Sequence, residues 1–196
     1  MAGVTMHREE LEHLIRAAGG ILRVNQMLII GSQSILASFG EHQLPAEATA
    51  SVEADIIPPN DVDERLADLI DGTIGEGSLF HETFRVYADG VSLGTARLPQ
   101  GWQERLVPIK NENTSGVTGY CLDPADLLAS KYLAHRPKDL AFCRAILQVG
   151  LVDAQLVASR IPTAPGTASE HRRALAALRR DVNDPSPSSS SPTRSL

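Results

Sequence analysis

The sequence predicts a mixed α/β fold of the α+β kind: a small mixed sheet flanked by helices, followed by a helical C-terminal part. Three observations carry that expectation. Short apolar runs bounded by Gly or Pro, such as MLII and SVEADII, alternate with helix-like periodicity over the first 120 residues. From Asp123 onward the apolar spacing is helical throughout. At 196 residues the chain is long enough to bury one core without staples. The corresponding division is a core at 1–120, a helical part at 121–182 and a tail at 183–196.

Each element has its own local reason. EELEHLIRAAGGIL places Leu11, Leu14, Ile15 and Ala18 on one helical face, and its Gly19-Gly20 pair is expected to fray the end. MLII reads as a strand covered on both faces and punctuated by Gly31. SQSILASFG offers Ser32 or Ser34 as an N-cap, a short helix through Ile35, Leu36 and Phe39, and Gly40 as its stop. After a polar, Ala-rich loop, SVEADII is the next strand, ended by Pro58-Pro59. DVDERLADLIDGTIG is a helix with acids in its first turn.

FRVYADGVSLGTARL is expected to form a hairpin turning at ADG, and RLVPIKN adds one more strand. DPADLLASKYLAH opens the helical part with Asp123 as N-cap and Pro124 at the first helical position. RPKDLAFCRAILQVG and VDAQLVASRI follow, and TASEHRRALAALRRDV starts with a capping box, Thr167 to Glu170. The tail NDPSPSSSSPTRSL has the low-complexity composition of a disordered segment.

Composition narrows the function classes. The net charge of −6 argues against a surface that coats long nucleic acid by charge alone. One concentrated basic feature stands out: HRRALAALRR, with Arg172, Arg173, Arg179 and Arg180, is either a solvated helix face or a grip on RNA phosphates. Cys121 and Cys143 lack metal-like or redox spacing and read as packing residues of a reduced protein. The acidic N-terminus and the lack of a long apolar stretch lead to the expectation of a soluble, cytoplasmic protein with no membrane partner.

The segment with the most chemical information is MLIIGSQSILASFGEHQLPAEATASVEADII. Residues i and i+2 of a strand share a face, so Glu53 and Asp55 point one way while Val52, Ala54 and Ile56 point to the core. Two carboxylates at that spacing repel unless a cation sits between them, and a hard cation such as Mg²⁺ prefers a few carboxylates plus phosphate oxygens. Gly31 permits close backbone approach at the strand end, and the N–H groups of Ser32 to Ser34 are placed to meet phosphate. Together the two segments are suited to a metal-bound triphosphate.

The order strand, Gly-Ser, short helix, then acid-x-acid strand resembles the signature of the nucleotidyltransferase fold related to DNA polymerase beta. DLLASKYLAHRPKDLAF, with Lys131, Arg136, Lys138 and Asp139, is similar to the second motif of the AbiEii and MenT type toxins and their uncharacterised relatives. The resemblance covers roughly residues 8 to 160. It implies a phosphate loop at Gly31 and Ser32, with Ser34 beside it, a metal-binding pair at Glu53 and Asp55, a phosphate-binding Lys131 and the motif acid at Asp139. It also implies Mg²⁺ as cofactor, an NTP as substrate, the tRNA 3′ end as acceptor and a cognate antitoxin as partner.

Asp89 is the candidate for a third carboxylate, although ADG reads more simply as a turn. Glu in place of Asp at the first acid and the long Ser32–Glu53 interval support an alternative, a catalytically degenerate module that binds a nucleotide or a protein. A transferase acting on a small hydroxylated acceptor is a third reading.

Overall fold

The computed structural model of the protein describes residues 5–183. Its elements, in chain order, are α1 (Arg8–Leu22), β1 (Gln26–Ile30), α2 (Ala46–Thr49), β2 (Glu53–Ile57), α3 (Arg65–Ile74), α4 (Leu79–Phe84), β3 (Tyr87–Gly90), β4 (Val107–Ile109), β5 (Thr118–Cys121), α5 (Pro124–Ala134), α6 (Pro137–Gln148), α7 (Ala154–Arg160) and α8 (Ala168–Asn183). The five strands form one mixed sheet in the order β3-β2-β1-β5-β4. β1 pairs antiparallel with β2 and parallel with β5, while β2 pairs parallel with β3 and β4 antiparallel with β5. The expected class is observed: a mixed sheet flanked by helices, with a helical C-terminal part.

Register sorts the side chains onto two faces. Ile29 stands between Ile56 and Cys121 in neighbouring strands, and Ala54 stands opposite Ala88, all fully buried. α1 covers this side, with Ile15 packed directly over Gly119 of β5. The opposite face carries the row Ile30, Asp55, Asp89 and, one pair along β2, Glu53 beside Tyr87. Burial alternates accordingly along β2: Ala54 and Ile56 are enclosed, whereas Glu53 and Asp55 keep access to solvent.

Two expectations fail and one strand goes unforeseen, each for a tertiary reason. Gly19 and Gly20 lie inside α1, and the missing Cβ of Gly19 makes room for the Val117 side chain packed against the helix. Helix α1 stops instead at Arg23, in the left-handed conformation. ADG is no hairpin turn: Tyr87–Gly90 is a strand parallel to β2, reached by a crossover through α3 and α4. Strand β5, TGYC, has no apolar run to mark it, yet it sits second from the edge and ties β4 to β1.

In the helical part, Asp123 caps α5 by accepting from the amides of Ala125 and Asp126. The Thr167–Glu170 capping box of α8 also forms, with Thr167 N–H donating to Glu170 at 2.7 Å and Glu170 N–H to Thr167 Oγ1 at 3.2 Å. α5 is the hub: it packs on α6, α7 and α8. Its fully buried Tyr132 donates to Asp181 of α8 at 2.9 Å. Asp126 is enclosed and held by Arg105 at 2.8 Å and Arg160 at 3.1 Å, which fastens α5 to the 3-10 turn Trp102–Arg105 and to the end of α7. Cys121 and Cys143 are free and buried, and burial pushes the Cys121 thiol up to about 12, so both act as packing groups. The expected disordered tail lies outside the described residues, apart from Asn183, which ends α8. Among the described residues no helix is long and apolar enough to cross a membrane.

Candidate active site

A cleft of about 460 Å³ opens between the acidic face of the sheet and α5–α6, a size suited to a small-molecule ligand. Gly31, Ser32, Glu53, Asp55, Lys131 and Asp139, drawn from three separated stretches of sequence, all line it. Arg97, Ser130, Arg136 and Lys138 complete the polar wall.

Gly31 ends β1 at φ +70°, and a Cβ there would collide with Asp55 Oδ2. The bare glycine lets the carboxylate lie against the backbone at the floor of the cleft, a position that no other residue at 31 permits. Gly31→Ala is therefore expected to cost about 1–3 kcal/mol of stability through backbone strain and collision, and to displace Asp55. Urea unfolding measures the first effect, and nucleotide binding measures the second.

After Gly31 the chain enters a 3-10 helix, Ser32–Ala37. Here the expectation for Ser34 is corrected. Its amide and hydroxyl both donate to the Gly31 carbonyl, at 3.3 and 2.8 Å, and the residue is fully buried. Neither donor is left for a ligand, so Ser34 shapes the turn while Ser32 faces the cleft. The long interval to Glu53 is filled by a second 3-10 turn, Glu41–Gln43, and by α2.

Electrostatics single out Asp55. Burial, reinforced by the neighbouring Glu53 and Asp89, pushes its carboxyl up to about 6. Among the described residues no hydrogen bond or ion pair reaches it; the charges of Lys131 and Lys138 act only at a distance. Asp89 is also raised, by burial first and then by Glu53 and other acids. Glu53 has partners: Tyr87 donates its hydroxyl at 3.1 Å, and the Lys138 ammonium lies 3.6 Å away. The structure thus places Asp89 beside Asp55 in the sheet, the position that the turn reading had denied it.

Such a donor set fits a hard divalent cation. A largely buried carboxylate without a protein partner, repelled by a second carboxylate two residues away, is relieved by a positive charge. Among the described residues no set of three or more His, Cys, Asp or Glu side chains is arranged to hold a metal by itself. A cation bound at Asp55 and Glu53 would complete its shell with water and phosphate oxygens, which suits Mg²⁺.

Across the cleft, Lys131 of α5 is 9% exposed and Asp139 of α6 is 3% exposed, and they pair at 2.7 Å. The Lys131 ammonium also lies 4.8 Å from the centre of the Phe142 ring. The second oxygen of Asp139 is 3.1 Å from Arg136 Nε but makes no hydrogen bond among the described residues. Lys131 is therefore fixed by an acid rather than stretched out to solvent, and its remaining donors are directed by that pairing. Sequence reasoning missed Arg97, in the segment after β3, because an isolated basic residue in a loop carries no pattern. Here Glu170 of α8 holds it at 2.8 Å.

Comparison with known proteins adds one finding. Searches of curated proteins and of solved structures return no match. A family model, by contrast, matches residues 9–184, nearly the whole chain, including every residue of the cleft. The glycine-serine turn, the acid-x-acid strand and the facing lysine thus fall inside one family match, and the chain belongs to DUF6036, the family described as a nucleotidyltransferase of unknown function.

Proposed function

We propose that this cleft binds an NTP with Mg²⁺ and transfers its nucleoside monophosphate to an acceptor hydroxyl. The observation that carries the reading is the convergence of Asp55, Gly31-Ser32 and Lys131 on one cavity, within a chain of a nucleotidyltransferase family. Mg²⁺, when bound at Asp55 and Glu53, supplies charge neutralisation for the phosphates in flight.

The chain's own groups do the rest. Gly31 lets the phosphates approach the backbone, and Ser32 offers polar contacts beside them. Lys131, oriented by Asp139, offsets negative charge on the leaving pyrophosphate. The acceptor oxygen bonds to the α-phosphorus as the bond to pyrophosphate breaks. The acceptor proton passes to water or to a carboxylate of the cleft; Asp89, although paired with Asp55 in the sheet, does not line the cleft and serves to raise the local negative charge.

The toxin-like resemblance supports the tRNA 3′ end as the acceptor and a cognate antitoxin as the partner. A second reading, nucleotide binding without turnover, is favoured by one feature: Glu53, in place of the usual Asp, is already engaged by Tyr87 and Lys138. Incubation with each labelled NTP and Mg²⁺, together with total tRNA or small hydroxylated acceptors, separates the readings. Transfer of label with release of pyrophosphate is expected. Binding of NTP without either product supports the second reading.

A further inference from the structure

Helix α8 segregates its charges. Its acids turn inward: Glu170 holds Arg97 at 2.8 Å, and Asp181 accepts from Tyr132 at 2.9 Å and from Arg144 at 3.1 Å. Its arginines 172, 173, 179 and 180 are all exposed, and among the described residues none of the four makes a hydrogen bond or ion pair. Residues seven apart return to nearly the same helix face. The four therefore form one stripe, interrupted only by the exposed Ala176, with its two pairs about 10 Å apart along the axis. In a protein of net charge −6, four guanidinium groups on one face without a partner among the described residues make a local basic patch.

Both ends of the stripe connect to the cleft. Glu170, two residues before the first pair, grips the cleft-lining Arg97. Arg179 and Arg180 line a groove with Leu140 and Arg144 of α6, and the opening residues of that same helix, Lys138 and Asp139, line the cleft. The far end of the stripe therefore lies against α6, the helix whose first turn lines the cleft. The chemistry of the stripe suits a phosphodiester backbone: arginine forks match phosphate oxygens in pairs, and the spacing needs no base-specific contact.

We infer that the α8 stripe binds the backbone of an RNA acceptor and delivers its 3′ hydroxyl to the cleft, so that the acceptor is a nucleic acid rather than a small molecule. This assignment of the acceptor rests on the transferase reading above, whereas the RNA contact itself does not.

The test uses the full chain and a fluorescently labelled single-stranded RNA with a free 3′ hydroxyl. The R172Q/R173Q/R179Q/R180Q variant, whose changes are all on the surface, is compared with wild type by anisotropy between about 50 and 200 mM KCl. RNA affinity is expected to fall at least tenfold, and the slope of log K against log salt to flatten by about 3, the counterion release of four phosphate contacts. Binding of Mg-NTP by calorimetry and the melting temperature should not change. A variant with lysine at all four positions should recover most of the salt dependence, since it keeps the charge.

RNA binding that is absent in wild type, or unchanged in the glutamine variant, overturns the inference. So does loss of an acidic protein partner by that variant while RNA binding persists. If RNA binding depends on the stripe but wild type binds no Mg-NTP, the RNA surface stands and the transferase reading falls.

Discussion

Asp55→Asn is expected to lower nucleotidyl transfer by about a thousandfold or more, equivalent to roughly 4 kcal/mol of transition-state stabilisation, while making the metal-free protein more stable at neutral pH. The two effects have one cause. Asp55 titrates near 6 in the folded chain, above its ordinary value of 3.8, because burial and the adjacent acids oppose its charge. Below pH 4 it is protonated both folded and unfolded and costs nothing. As pH rises from about 4 to 6 the unfolded chain gives up its proton more readily than the folded one, so stability falls; above 6 the penalty is constant, on the order of 3 kcal/mol. Asn has no charge to oppose and should show no such decline. Urea unfolding in chelator at pH 4 and pH 8 measures the gap, which should open only at the higher pH. Equal stability at both would mean that Asp55 is not held against its charge.

The second large effect concerns the pair across the cleft. Removing one partner from a buried ion pair leaves an uncompensated charge and costs about 3–5 kcal/mol, whereas replacing both with apolar groups is often far cheaper. Asp139→Ala and Lys131→Met should each destabilise the protein by that amount, because both groups are enclosed and pair at 2.7 Å. The double variant K131M/D139L should recover much of the loss. Activity should not return with it, since the positive charge proposed to face the leaving pyrophosphate is gone. A double-mutant cycle on unfolding free energy, run beside a transfer assay, separates the two roles. Recovery of activity in the double variant would reduce the pair to a structural tie.

The strength of the sequence signal followed how local each feature is. The Gly31-Ser32 turn, the Glu53/Asp55 alternation, the Asp123 cap and the Thr167–Glu170 capping box are set by neighbours in sequence, and each was legible. The parallel pairing of β3 with β2 was not, because a four-residue strand gains its identity from a partner some thirty residues away. For the same reason Asp89 looked like part of a turn. Strand β5 was hidden because TGYC is short and shows no apolar run, and it takes its place as a strand by pairing between β1 and β4. Ser34 illustrates the opposite failure: a good capping residue in sequence, it spends its hydroxyl on the Gly31 carbonyl once the turn tightens to a 3-10 helix. The role of Arg97 depends on α8, more than seventy residues later in the chain.

The central claim is that a half-buried carboxylate at the floor of the cleft, Asp55, exists to meet a cation carried with a polyphosphate. Calorimetric titration of NTP into wild type and Asp55→Asn, with and without Mg²⁺, addresses it most directly. NTP should bind wild type appreciably only when Mg²⁺ is present, and the Asn variant should lose that dependence. Binding that is equally tight with and without the metal, or unaltered by the substitution, would contradict it.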